Sequence, residues 1–398
     1  MKVLFIAPQP FFIERGSPIA IKLVLDEWDR RGDDVDLVCL HEGSDVAYEN
    51  VRLHRIPQIP GAKKIGPGFS LKKIICDFAV VGKALRLASK TRYDVVHAVE
   101  EGVFIALLIN RLYGIPYVYD MDSSMADQLV EQRPILRVLS PFFRWFEKAA
   151  VLNAATVLPV CDALDERVKA YGAKRTTVLY DVPMHLGSDQ GAEDLRQLIG
   201  SEGSIALYVG NLEAYQGIDL LLDSIALLDK NSGPNHFVLI GGIPEHIQAY
   251  TRKAESLGIG DRVHLLGPRP LKDIYGYLLQ ADVLVSPRTK GYNTPMKIYS
   301  YLASGRPVVA TRLWTHTQVL DDETAMLAEP TPAAFADALR EIARDADLRD
   351  RIGEAGKARV ESRYSLRVFR NTLNKHFEWL ERLVSRPSDG TPHRLVSR

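Results

Sequence analysis

The chain has 398 residues, more than one hydrophobic core usually holds, so two domains are expected. Apolar residues make up 46% and charged residues 25%, the balance of an ordinary soluble globular protein. Lysine plus arginine and aspartate plus glutamate number 50 each, which argues against a globally basic nucleic-acid binder. The opening MKVLFIAPQP is broken by proline too soon for a signal peptide and reads as a first buried strand over Lys2–Ala7. After the loop QPFFIERGS, a helix carries Ile21, Val24, Leu25 and Trp28 on one face, with Gly32 just past its end. Val35–Leu40 is the next strand, and the rhythm returns at Tyr93–Val99, Ile115–Asp122 and Ala155–Cys161. Strands alternating with helical patterns predict a parallel sheet covered on both faces.

From Gly187 to Gly203 the sequence turns polar and reads as a linker. A second series follows, through SIALYVGN, HFVLIGG, DRVHLLG, ADVLVSP and GRPVVAT. Its first helix places Ile218, Leu221, Leu222 and Ile225 on one face, so a second α/β domain on the same plan is expected. A long helix runs from about Leu366 to Leu383. The remainder, SRPSDGTPHRLVSR, lacks an apolar face and reads as a disordered tail. The cysteines Cys39, Cys76 and Cys161 are odd in number and widely spaced. They give no disulfide framework and no metal pattern, and fit small buried hydrophobes in a reducing cytoplasm. No segment approaches the roughly 20 apolar residues that span a bilayer.

Two doubly wound domains of this kind put the carboxyl ends of their sheets across a central cleft, where ligands bind. The stretch KGYNTPMKIYSYLASGRPVVAT bears on this directly. Thr294 suits an N-cap and Pro295 a first helical position, which predicts a helix start with free N–H groups. Lys297 falls in its first turn, where a cation opposes the helix dipole unless an anion is present. Arg288 and Lys290 stand just upstream. Either an anion sits here, or this is an ordinary helix start with a solvated lysine. In YVGNLEAYQGIDLLL, Gly210 permits close backbone approach and Gly217 precedes a helix, a common but unspecific phosphate-site pattern. His97, near the end of its strand, reads either as a cleft residue or as a satisfied core histidine.

Taken together, "VGNL…QGIDLLL", "LIGG", "VHLLG", "ADVLVSP" and "NTPMKIYSYLASGRPVVAT" resemble, in order and spacing, the donor domain of the retaining, GT-B-fold glycosyltransferases of family 4. The first domain is similar more loosely, through "KVLFIAP", "RGSPIA", "YDVVHA" and "PYVYDMDSS". The resemblance implies two Rossmann-like domains over residues 1–186 (acceptor) and 187–365 (donor). A helix at 366–384 would cross back to the first domain, ahead of a tail at 385–398. It implies a metal-independent, cofactor-free, retaining hexosyltransferase that uses a nucleotide-diphosphate sugar as donor. The acceptor would be a glycan, a lipid-linked molecule or a small-molecule hydroxyl. The departures are specific. Asn211 and Gln216 stand where many members have the Arg and Lys that contact the diphosphate. Tyr292 and Ser300 stand where the paired glutamates belong, and Gln318 where a further Glu belongs. The donor site is then left to Lys297, Arg288 or Lys290 and backbone N–H groups, with Asn211, Asn293 and Ser300 as neutral partners.

Asp122 aligns with the family's histidine that contacts the transferred sugar, with Asp120 nearby. The Asp-x-Asp-Ser-Ser run reads equally as the cap of a following helix. Glu100 and Glu101 are weaker candidates. Arg15, Gly16 and Ser17 fall in the loop that carries the family's acceptor and phosphate contacts. Two rival functions stay open: a non-catalytic nucleotide-sugar-binding protein, and a nucleotide-sugar epimerase on the same fold. Finally, GAKKIGPGFSLKK (Gly61–Lys73) and PILRVLSPFFRWFEK (Pro134–Lys148) mix cations with aromatics. They read either as contacts to an anionic membrane on its cytoplasmic side, or as a mobile loop and a core helix.

Overall fold

The computed structural model describes residues 1–13, 16–59, 71–127, 138–184, 191–229, 232–291 and 293–385. Expectations that fall on Arg15, Tyr292, the loop at 61–70, the segment 134–137 and the tail at 386–398 lie outside the described residues. Two compact units divide the chain: Met1–Tyr180 together with the chain from Phe369 onward, and Asp181–Val368.

In the first unit, β1 (Lys2–Ala7), β2 (Asp34–Cys39), β3 (Val51–Arg55), β4 (Val95–Val99), β5 (Tyr117–Met121) and β6 (Thr156–Pro159) form one sheet. Its order is β3-β2-β1-β4-β5-β6, and every pairing is parallel. The near-continuous apolar runs of β1, β4 and β5 are what a sheet buried on both faces requires. The helices are α1 (Gly16–Arg30), α2 (Leu71–Lys90), α3 (Gly102–Tyr113), α4 (Ser140–Asn153) and α5 (Asp162–Tyr171). One face of the sheet, with Leu4, Ile6, Val96, Ala98 and Tyr119, packs on α2, α3 and α4 through Val80, Ala84, Val103, Ala106 and Ala150. The alternate residues, among them Phe5 and His97, point to the other face, where α1 brings Trp28.

In the second unit, β7 (Ile205–Val209), β8 (His236–Ile240), β9 (Val263–Gly267), β10 (Val283–Ser286), β11 (Val308–Thr311) and β12 (Met326–Ala328) lie in the order β12-β11-β10-β7-β8-β9, again all parallel. Its helices are α6 (Leu195–Ile199), α7 (Ile218–Ala226), α8 (Pro244–Ser256), α9 (Ile274–Gln280), α10 (Lys297–Ala303), α11 (Trp314–Thr317), α12 (Pro332–Arg344) and α13 (Ala346–Arg359). The apolar face of α7 is buried as its periodicity predicts: Ile218, Leu221, Leu222 and Ile225 all join the core. Each unit thus sets its first strand beside its fourth. The direction of winding reverses between β1 and β4, and again between β7 and β10, and that reversal opens a ligand crevice at the carboxyl ends.

Three readings of the sequence need correction. Strands β3 and β12 were not anticipated; both are outermost in their sheets, where continuous apolar runs are not needed. The second half of the presumed linker is the helix α6, whose Leu195 is fully buried. Asp194 caps it by accepting from the N–H groups of Arg196 and Gln197. The helix over KIYSYLA begins at Lys297 and not at Thr294, whose buried hydroxyl has no hydrogen-bond partner.

The last helix, α14 (Leu366–Val384), packs on the first unit. The Phe377 ring stacks on Trp28 with centroids 3.7 Å apart. Arg370 donates to Glu27 at 2.8 Å, and the Arg175 guanidinium lies 4.6 Å from the Trp379 ring centre. His376 is fully buried here with neither ring nitrogen hydrogen-bonded, and burial, then nearby His97 and Arg175, push it down to about 3. A base held neutral in the fold binds its proton more readily once unfolded. Stability is therefore complete above the ordinary histidine value of 6.5 and falls with pH between 6.5 and about 3. The slope should be about 1.4 kcal/mol per pH unit from this group. Urea unfolding of wild type and His376→Leu at neutral and mildly acidic pH checks this: the variant should lose that part of the pH dependence. Equal slopes would refute it.

Candidate functional site

At the β7/β10 crevice, the loop after β7, the loop after β10 and the start of α10 are locked together. Gly210, which directly follows β7 with φ of 152°, lies where a Cβ would stand 2.7 Å from Lys297 Nζ. Gly217 approaches the β10 end so closely that a Cβ would sit 1.9 Å from the Pro287 carbonyl oxygen. The Thr289 N–H donates to the Tyr215 carbonyl at 2.9 Å, so the loop after β7 and the loop after β10 share backbone hydrogen bonding. These glycines are needed for approach to neighbouring protein as well as to any ligand.

Lys297 is the centre of the arrangement. Its ammonium sits 3.9 Å from the centre of the Tyr208 ring and donates to Gln216 Oε1 at 3.3 Å. It is only 9% exposed and, among the described residues, forms no salt bridge with a carboxylate. Burial, then the charge of Arg288, holds its pKa well below the usual lysine range. Arg288 packs over the Tyr215 ring at 5.2 Å and donates to the Lys290 carbonyl at 2.6 Å, while the Lys290 side chain is exposed. A cation desolvated beside a second cation is stabilised by an incoming anion more than a solvated lysine would be.

The remaining donor-side candidates surround this pair. Asn211 donates to the Tyr215 hydroxyl at 3.3 Å, and its own carbonyl accepts from the Tyr208 hydroxyl at 2.6 Å. Ser300 is buried, and its hydroxyl oxygen accepts from the Met184 N–H at 2.9 Å. The Asn293 carbonyl accepts from the Thr315 hydroxyl at 2.5 Å. Thr294 is buried beside them.

The sequence reading missed His316. It is fully buried, and burial pushes it down to about 3, so it is neutral. Its Nδ1 donates to the Thr311 carbonyl at 2.9 Å, and its Nε2 accepts from the Ser286 hydroxyl at 2.9 Å. Thr311 in turn donates to the Arg288 carbonyl at 2.6 Å. The histidine therefore positions the Arg288 backbone from below. Tyr208, the floor under Lys297, was also missed; its place next to Gly210 at a strand end was the available signal.

In the first unit, Gly16 and Ser17 open α1 just beyond the carboxyl end of β1. Asp122 directly follows β5 and is half-buried. The next helical turn is capped by Ser124, which accepts from the Asp127 N–H at 3.3 Å, so the cap role does not fall to Asp122. The segment is fixed from below: Ser123 donates to Glu100 at 2.9 Å, and Ser124 donates to the buried Glu147 at 3.0 Å. Glu100 takes a left-handed backbone (φ 48°) at the end of β4 and is buried. Burial, then the carboxylates of Asp122 and Glu101, push its carboxyl well above the usual range. His97 is corrected to a core residue. It is fully buried in mid-strand, stacked on Phe5 with centroids 4.4 Å apart, and its Nε2 lies 3.1 Å from Asp120 Oδ2. Cys39, Cys76 and Cys161 are all buried and none is in a disulfide. Among the described residues, no group of three or more His, Cys, Asp or Glu side chains is placed to hold a metal ion.

Comparison with known proteins bears on both units. Residues 203–345 match the family model for glycosyl transferases group 1, and residues 16–180 match that for the glycosyl transferase 4-like domain. Together the two models span most of the chain, which is a glycosyltransferase of the group 1/4 type. It is 26% identical to D-inositol 3-phosphate glycosyltransferase of Corynebacterium diphtheriae, over 85% of this chain and 84% of that protein. The fold of this glycosyltransferase is GT-B. Sucrose-phosphate synthase from Thermosynechococcus elongatus superposes with a TM-score of 0.77 at 18% identity, over 96% of this chain and 99% of that one. Anabaena HepE, solved in complex with UDP, gives 0.73 at 17% identity, over 95% and 100% of the two chains.

Proposed function

We propose that this glycosyltransferase holds the diphosphate of a nucleotide sugar at the carboxyl ends of β7 and β10 and passes a hexosyl group, with retention, to an acceptor hydroxyl. The observation that carries the reading is Lys297, a buried ammonium without a carboxylate partner among the described residues, next to Arg288. By the family resemblance, an Arg and a Lys would stand at the positions of Asn211 and Gln216. Here Gln216 accepts from Lys297, so one lysine stands in for the charge that the Gln216 position lacks. Two cations offset the charge of a diphosphate leaving group without a divalent metal. Asn211, Gln216, Asn293 and Ser300 are neutral hydrogen-bonding partners for ribose and sugar.

In the reaction, the bond between the anomeric carbon and the diphosphate oxygen breaks as the acceptor oxygen bonds to the same face of the sugar. The acceptor proton passes to the departing diphosphate. The protein contributes closure, orientation and charge stabilisation. Asp122 accepts hydrogen bonds from the transferred sugar, and Gly16 and Ser17 border the acceptor, a glycan, lipid-linked or small-molecule hydroxyl. UDP-hexoses are the first donors to try, because HepE was solved with UDP. Three buried cysteines outside any disulfide suit a reducing cytoplasm.

The test incubates the protein with UDP-, GDP- and dTDP-hexoses, with and without acceptor extracts and with a chelator. Release of nucleoside diphosphate only when acceptor is present, undiminished by the chelator and with the donor's anomeric configuration in the NMR spectrum of the product, is the expected result. An altered nucleotide sugar without acceptor would establish an epimerase. Binding without turnover would establish a non-catalytic protein.

A further inference from the structure

The α2–α3–α4 layer of the first unit carries an outer surface that the donor-site chemistry does not use. Although α4 read equally well as a core helix, Phe142 and Trp145 on it are 56% and 62% exposed. Phe142, Trp145 and Phe146 form a ladder of edge-on contacts, and Phe146 meets Phe104 of α3 with centroids 6.3 Å apart. One and two turns on from Phe104, Leu108 and Leu112 are exposed, and Phe78 of neighbouring α2 is 74% exposed. Soluble monomers rarely display so many exposed large apolar side chains on adjoining helices without an occupant.

The charges on the same three helices are one-sided. Lys72, Arg86, Lys90, Arg111, Arg144 and Lys148 are exposed. The two carboxylates of these helices are withdrawn: Glu147 is buried beneath α4, and Asp77 is paired with Lys73 at 3.1 Å. The whole chain is neutral, with 50 residues of each sign, so this cationic face is a local feature. In a parallel sheet each crossover helix runs back from the carboxyl end of a strand. The N-terminal halves of α2 and α4, which hold Phe78, Phe142 and Trp145, therefore lie at the same end of the sheet as Asp122.

We propose that the exposed aromatic and cationic face of α2, α3 and α4 docks the enzyme on an anionic lipid bilayer, with Phe142, Trp145 and Phe146 in the headgroup boundary and the lysines and arginines on the lipid phosphates. A second copy is the poorer occupant, since a two-fold contact through this face would set Arg144 and Lys148 against themselves. The proposal does not depend on the identity of the donor or acceptor.

The experiment is co-sedimentation of the full chain with vesicles of phosphatidylcholine alone and with phosphatidylglycerol added, at low and raised salt. Binding only to the anionic vesicles, weakened by salt, is expected. Phe142→Ala with Trp145→Ala should lower the partition coefficient at least about tenfold. Arg144→Glu with Lys148→Glu should lower it about twentyfold or more, at about fivefold per charge. Circular dichroism and unchanged nucleoside-diphosphate binding show that each variant is folded. No sedimentation, equal binding to both vesicles, or binding indifferent to both double variants overturns the proposal. So does a dimer in sedimentation velocity that Trp145→Ala dissolves while vesicle binding is absent. Binding that appears only after removal of residues 386–398 also overturns it, because the face would then belong to the chain's own tail.

Discussion

Asp122→Asn is expected to lower kcat by about a hundredfold while leaving nucleoside-diphosphate affinity nearly unchanged. Transfer of a glycosyl group builds positive charge on the sugar ring, and a fixed carboxylate beside it stabilises that charge more than it stabilises the ground state. Losing one such preorganised group typically costs about 10²–10³ in rate. The amide keeps the shape and most of the hydrogen bonding, so the fold should hold, all the more because Ser124, not Asp122, caps the adjacent turn. Removing the Asp122 charge also relieves Glu100, whose carboxyl that charge helps to push up. Any step in the pH–rate profile that reports Glu100 should move to lower pH. Steady-state rates against pH, with calorimetric titration of the diphosphate, check both statements. Unchanged turnover would remove Asp122 from the sugar site.

The second large effect concerns Lys297. A hydrogen bond to a charged group contributes roughly 1.5–3 kcal/mol, so Lys297→Ala should weaken nucleoside-diphosphate binding about ten- to a hundredfold. The bare nucleoside has no phosphate to lose and should bind almost as before. The wild type carries a further signature. Its ammonium is held well below the usual range by burial and Arg288, and an anion would raise it again. Diphosphate binding should therefore take up a proton and weaken as pH rises through the value of the free enzyme, a dependence that Lys297→Ala abolishes. Titrations in buffers of different ionisation enthalpy measure that proton directly. Equal losses for nucleoside and diphosphate, or no loss for either, would take Lys297 out of the phosphate site.

The central strands and the helices that pack on them were legible because their patterns are local. Val3–Ala7 is apolar from end to end, and Ile218, Leu221, Leu222 and Ile225 repeat with the helical period. Val51–Arg55 and Met326–Ala328 were not, since an outer strand alternates or shortens and leaves no apolar run. The helix at Leu195–Ile199 hid in a polar stretch; one buried leucine and an aspartate cap were its whole signal. At the candidate donor site, the sequence singled out Lys297 but not its surroundings. Tyr208 and Gln216 come to it from the far side of the β7/β10 crevice, and no pattern along the chain announces that meeting. The start of the helix was misjudged for a related reason. Thr294-Pro295 has the chemistry of a cap, yet regular helix starts only at Lys297, after a turn at Met296, while Thr315 donates to the Asn293 carbonyl.

The first unit is discontinuous in sequence, since Trp28 is covered by Phe377 from the last helix. On the ribosome, everything between Tyr180 and Phe369 has to be made before that cover exists. At about 5–20 residues per second this amounts to roughly 10–40 s. For that time the nascent first half carries an open indole and an unlidded sheet face beside His97, while the second unit, whose segments are contiguous, can close on itself as it emerges. Order of synthesis and order of completion are thus reversed: the half that is translated first is finished last. Premature termination just before α14 would leave a chain with one sealed unit and one that still exposes its core.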